Sequence, residues 1–198
     1  LASAPENLDA LVGLSSHYLR IGDRNRAVTL CERGIAAHPT AVKTAKLYGN
    51  LGFAYLAEES YDRAHLALEH AVNLDPGLGK AWGHLGYALL QTGEGDRAID
   101  AYRRAVEVDP ASAEAHFNLG KVRQMNADQE AARRHYIAAV AADSTYNRAH
   151  LALGLLYEGT DSLQAAASSY RRFIGGWKGT EEGLRLARAR LKGLEERR

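Results

Sequence analysis

Residues 79–112 read GKAWGHLGYALLQTGEGDRAIDAYRRAVEVDPAS. Trp82, Leu85, Gly86 and Leu89 fall at i, i+3, i+4 and i+7, which is one face of a helix. Gly93-Glu94-Gly95 then breaks the pattern. A second helical stripe follows at Ala98, Ile99, Tyr102, Ala105 and Val106, and Asp109-Pro110 stops it because proline cannot continue the hydrogen-bond ladder. The unit is a helical hairpin.

Sliding this window by 34 residues reproduces it. The Leu85 column becomes Leu51, Leu85, Leu119, Leu153, and the Gly86 column Gly52, Gly86, Gly120, Gly154. The Ala98 column is Ala64, Ala98, Ala132, Ala166, and the Tyr102 column Leu68, Tyr102, Tyr136, Tyr170. Upstream the same columns return as Leu14, Ser15, Ala27, Cys31 and Pro39 once three extra residues are allowed after Pro39. This predicts five repeats, at about 8–44, 45–78, 79–112, 113–146 and 147–180. Small residues let the two helices of a hairpin approach closely, while Leu and Tyr fill the space between them. Each hairpin leaves an apolar face for the next to cover, so the last one needs a cap. Residues 181–198 fit that role: Leu184, Ala187, Leu191 and Leu194 form one stripe, and Arg185, Arg188, Arg190, Lys192, Arg197 and Arg198 take the remaining surface.

The Trp-x-x-Leu-Gly, Ala, aromatic, Ala, Pro series from Trp82 to Pro110 resembles the tetratricopeptide repeat family over about Leu8 to Thr180. The later repeats depart from its pattern, with Arg123, Ala127 and Ser144 in the fourth and Asp161, Phe173 and Lys178 in the fifth. The resemblance implies an all-α, right-handed superhelical α-solenoid of antiparallel helix pairs, a single domain over 1–198. It also implies a non-catalytic module that holds a peptide or partner protein in a concave groove lined by the first helix of each pair.

The positions between the packing columns then become candidate contacts. The Gly83 column supplies Gly49, Gly83, Phe117 and Leu151, and the Tyr87 column Phe53, Tyr87 and Lys121. Glycines beside rings leave hollows suited to apolar side chains. Lys46, Lys80, Lys121 and Arg148 on or beside this face favour a partner segment that also carries acidic residues. Some relatives grip a terminal carboxylate with a Lys/Asn/Arg set. Asn50 and Lys80 match that set, but Val12, Ser16 and His84 replace its other members, which leaves too few charge-assisted donors. The candidate surface is therefore Lys46, Gly49, Asn50, Phe53, Lys80, Gly83, His84, Tyr87, Phe117, Lys121, Arg148 and Leu151. The alternative reading is a self-assembling scaffold, a homo-oligomer whose groove holds a terminal helix of another copy.

Composition narrows the remaining classes. The chain has 198 residues, 46% of them hydrophobic, and 25 Lys+Arg against 24 Asp+Glu, so it lacks the strong basic excess of a dedicated nucleic-acid binder. No apolar run approaches the ~20 residues of a membrane span, which reads as a soluble chain of cytoplasm or periplasm. It opens on Leu1 and its single methionine is Met125, which predicts a longer translation product. The single cysteine, Cys31, occupies the Tyr102 column and reads as core. His65 and His70 lack metal-ligand spacing, and His116 and His150 stand in the Trp82 column as packing residues. Gly175–Thr180 looks superficially like a phosphate loop but follows a helix and lacks the required spacing. The sequence thus predicts no metal, cofactor or catalytic set.

Overall fold

Every hairpin turn carries one residue in the left-handed backbone region, and all of them fall in the Gly93 column: Gly22 (φ 84°), Glu59 (57°), Gly93 (87°), Ala127 (60°) and Asp161 (54°). Two helices joined by so short a link must reverse within a few residues, and a positive φ does this. The requirement is the same whether or not glycine is present to meet it.

The computed structural model describes residues 7–196, so Arg197 and Arg198 of the expected capping surface lie outside the described residues. Pairs of helices follow one another: α1 (Leu8–Arg20) with α2 (Arg24–Ala37), α3 (Ala45–Ala57) with α4 (Tyr61–Leu74), and α5 (Gly79–Gln91) with α6 (Gly95–Val108). Then come α7 (Ala113–Met125) with α8 (Gln129–Ala142), α9 (Asn147–Gly159) with α10 (Leu163–Gly176), and a last helix, α11 (Glu181–Glu195). A single 3-10 turn at Val42–Thr44 takes up the extra residues after Pro39, and buried Thr44 ties it down by donating to the His38 carbonyl at 2.7 Å. Side-chain caps begin several helices: Asn7, Asp23, Ser112 and Asp128 each accept a first-turn N–H. The chain divides into two compact units, Leu1–Pro110 and Ala111–Arg198. Each is an all-helical stack of antiparallel pairs, the solenoid architecture.

In the second and third pairs of the first unit the contact is set by a small residue under a large one. A Cβ added to Gly86 would lie 2.8 Å from the Tyr102 ring, and one on Gly52 2.4 Å from Leu68. Between pairs, α2 packs on α3 and α4 on α5, which covers Leu51 and Leu85 at 8% and 4% exposure. Leu14, their counterpart on α1, is 47% exposed, because no helix among the described residues precedes α1. Cys31 is fully buried, and that burial pushes its thiol up to about 11 despite a hydrogen bond with Ser15. It is a protonated core residue at neutral pH.

In the second unit Gly120 lies under Tyr136 and Gly154 under Tyr170 in the same way. The tyrosine hydroxyls donate to Gln124 at 2.7 Å and Glu158 at 2.8 Å. Burial pushes Tyr136 up to about 12, and burial followed by Glu158 raises Tyr170. Ala187 and Leu194 of α11 are buried against Ala166, Tyr170 and Phe173, with Leu191 and Trp177 packed on the same cluster. Phe173 and Trp177 have ring centroids 4.9 Å apart.

The Trp82 column has a role that its apolar reading misses. Trp82 Nε1 donates to the Pro76 carbonyl at 2.9 Å, and His150 Nε2 makes the equivalent contact with the Ser144 carbonyl at 3.0 Å. Both anchor a helix start to the loop before it, and histidine can replace tryptophan because each ring offers an N–H at its edge.

Two glycine changes separate these effects. Gly86→Ala should lose about 1–3 kcal/mol through overpacking against Tyr102, whereas Gly83→Ala, with nothing within 4 Å of its Cβ, should gain about 0.5–1 kcal/mol. Urea denaturation of both variants checks the pair. Ala127→Gly should likewise raise stability, by about 0.5–1 kcal/mol, because it relieves a left-handed alanine. A thermal melt that fell instead would show that the turn conformation is misassigned.

Candidate protein-binding surface

Helices α3 and α5 lie side by side in the first unit, and their sequences, Ala45–Ala57 and Gly79–Gln91, contain no Asp or Glu. The charged side chains on them are Lys46 and Lys80, both exposed. One turn further along, Gly49 and Gly83 leave open space where a Cβ would stand. Beyond them the surface becomes aromatic. Phe53, 41% exposed, stacks on His84 with centroids 5.0 Å apart, and Tyr87, 39% exposed, meets the edge of Tyr61 at 6.2 Å. His84 and Tyr87 are three residues apart on α5, so the two ring pairs share one helix face. The Tyr61 hydroxyl is held above the usual phenol range by desolvation first, then by Glu59 and Tyr87.

Most of the expected residues of this unit therefore come together, but Asn50 has a different task. Its side-chain amide donates to Ser15 at 2.8 Å and Ser16 at 2.9 Å. It pins α3 to α1, and its donors are already engaged. Tyr61 belongs to the surface and was not among the expected residues. It opens α4, in a column that otherwise holds Arg24, Gly95, Gln129 and Leu163. An aromatic residue where no other repeat has one is the signal that could have found it.

The second unit departs from expectation. Phe117, expected on the open face, is 7% exposed and belongs to the core cluster. Its ring lies 5.6 Å from Tyr136 and 5.5 Å from Tyr146, with the Arg148 guanidinium 4.9 Å above it. Its column holds glycine in the second and third repeats. In the fourth the larger ring turns into the space between α7, α8 and α9, where burying it is more favourable than leaving it in water. Leu151 is half-buried against the α10–α11 cluster. Lys121 remains exposed, as does Arg148.

A hollow of about 390 Å³ in the first unit is walled by Asn25, Val28, Thr29, Tyr55, Glu58 and Arg63. Arg63 lies 3.9 Å over the Tyr55 ring and donates to its hydroxyl at 2.8 Å, so its guanidinium is occupied. Among the described residues no group of three or more His, Cys, Asp or Glu is placed to hold a metal ion, and no helix is long and apolar enough to cross a membrane.

Three family models match the chain: one described as TPR repeat over residues 86–126, and two described as tetratricopeptide repeat over 45–78 and 126–179. No curated protein matches it. Among solved structures, MamA is 25% identical with a TM-score of 0.71, covering 82% of this chain and 93% of that one. Pseudomonas aeruginosa pilF is 16% identical with a TM-score of 0.80, covering 94% and 88%. YrrB, described as a TPR protein with an unusual peptide-binding site, is 18% identical with a TM-score of 0.69, covering 93% and 100%. The last two share the fold. The matching models take in most of the helix pairs, and the chain belongs to the tetratricopeptide repeat family.

Proposed function

We propose that this protein is a non-catalytic interaction module, and that it holds a protein or peptide partner on the face of α3 and α5 that the family resemblance makes concave. The partner segment is apolar with acidic residues. One observation carries the reading: half-exposed Phe53 and Tyr87 stand beside two open glycine positions on helices whose charged side chains are both lysines. An apolar side chain of the partner fills the space over Gly49 or Gly83 and packs on the rings, where aromatic contacts concentrate binding energy. Lys46 and Lys80 meet its carboxylates, chiefly speeding encounter and setting specificity. In the second unit the same proposal rests on Lys121 and Arg148, since Phe117 is core and Leu151 is half-buried. The general role agrees with the family, whose repeat arrays are typically non-catalytic interaction modules, and YrrB's peptide-binding site is a precedent on the same fold.

The test uses one variant that removes contacts and another that fills space. Fluorescence polarisation against a panel of labelled acidic, apolar peptides should show the tightest binder losing about tenfold or more, roughly 1.4 kcal/mol, in Phe53→Ala/Tyr87→Ala. Gly49→Leu/Gly83→Leu should lose binding comparably while its melting temperature holds or rises, because an added Cβ meets nothing within 4 Å and leucine is the better helix former. Binding should also weaken with added salt. Unchanged affinity in both variants would move the contact elsewhere. A species of twice the mass in light scattering, abolished by the same substitutions, would instead show that a second copy takes the surface.

A further inference from the structure

His116 on α7 and His135 on α8 face each other across the hairpin of the fourth repeat. Their Nδ1 atoms are 3.4 Å apart while their ring centroids are 5.7 Å apart, so the nitrogens point toward one another. Both rings are half-buried. Two neutral imidazoles can share this long contact, with one Nδ1–H donating and the other Nδ1 accepting. Two imidazolium rings cannot, because both nitrogens would then carry protons and like charges would stand at contact distance. The charged groups acting on His135 are His116 and Arg123 from α7, Arg134 beside it on α8, and Asp128 at the turn. Asp128 is the one anion of the set and lies 4.0 Å from Arg123, which already engages it. The Arg123 Nε is buried without a hydrogen-bond partner.

We propose that His116 and His135 form a proton-sensitive latch, which closes the α7–α8 hairpin at neutral pH through their Nδ1 contact and loosens it in mild acid when both rings protonate. The electrostatics agree with the geometry: burial first, then His116, Arg123 and Arg134, hold His135 below the usual imidazole range. A base with a lowered folded-state pKa binds protons more readily when unfolded. Its stabilising contribution is therefore complete above the ordinary imidazole pKa of about 6.5 and is lost as pH falls below that toward the folded value. His150 offers an internal contrast. It uses Nε2 toward a carbonyl, and an imidazolium keeps that donor, so protonation leaves its anchor intact.

Thermal melts of the whole chain at pH 8 and pH 5 test the latch, with His135→Gln beside the native protein so that the carboxylate titrations cancel. The native protein should lose about 2–4 °C more than the variant over this range. Parallel losses would overturn the proposal. Should the variant fail to fold, the native protein still decides by NMR titration of its histidine ring signals. Two rings should titrate as a coupled pair, one of them displaced to lower pH, and the amides of α7 and α8 should broaden or shift with that second step. Independent titration of every ring with ordinary midpoints would refute the latch.

Discussion

The closeness of the two helices in each pair controls the rest of the structure. Gly52, Gly86, Gly120 and Gly154 each sit under a large residue of the second helix, and every added Cβ would fall at 2.8 Å or less. No rotamer change relieves such a contact, since the ring opposite is itself fully buried in the tyrosine pairs. In these four pairs the helix axes are therefore fixed at a separation that only glycine permits, whereas the first pair places Ser15 opposite the smaller Cys31. That separation in turn fixes where the next pair of the same unit finds its apolar face, so a local steric limit, repeated within each unit, becomes the geometry of that unit's stack.

The rings that fill these gaps also organise polar groups. Tyr136 and Tyr170 are buried to the hydroxyl and then donate across to Gln124 and Glu158. Those two residues stand in the column that holds Leu56 and Leu90 in the second and third repeats. A buried hydroxyl without an acceptor costs about 1–3 kcal/mol, and in the fourth and fifth repeats Gln124 and Glu158 supply that acceptor. Two positions that alone look like ligand contacts are thus explained by packing. The same holds for Asn50, whose donors bind Ser15 and Ser16.

Hairpin boundaries, the glycine and alanine columns, the buried Cys31 and the capping stripe on α11 were legible because each follows from spacing, and spacing is what a sequence displays. The direction a side chain takes was less legible. Phe117 and Gly83 share a column, and a column predicts a face of the helix. It does not reveal that the Phe117 ring joins the buried cluster with Tyr136 and Leu153. Leu14 failed in the opposite sense, because its covering helix is a property of position in the array and not of the repeat. The pairing of His116 with His135 joins residues 19 apart that no periodicity connects.

The aromatic face of α3 and α5 must be weighed by the same standard. The fold needs glycine at Gly86 and a ring at Tyr102. It does not need a ring at Phe53 or Tyr87, for the equivalent positions hold Ser16, Lys121 and Leu155 in pairs of the same construction. Holding two rings roughly 40% exposed leaves apolar area in water, and each Å² so exposed forgoes about 25 cal/mol of burial. Stacking on His84 and Tyr61 recovers part of it without hiding the rings. Exposed rings that the packing does not require, and that water disfavours, are the ground on which we propose this face as the contact surface.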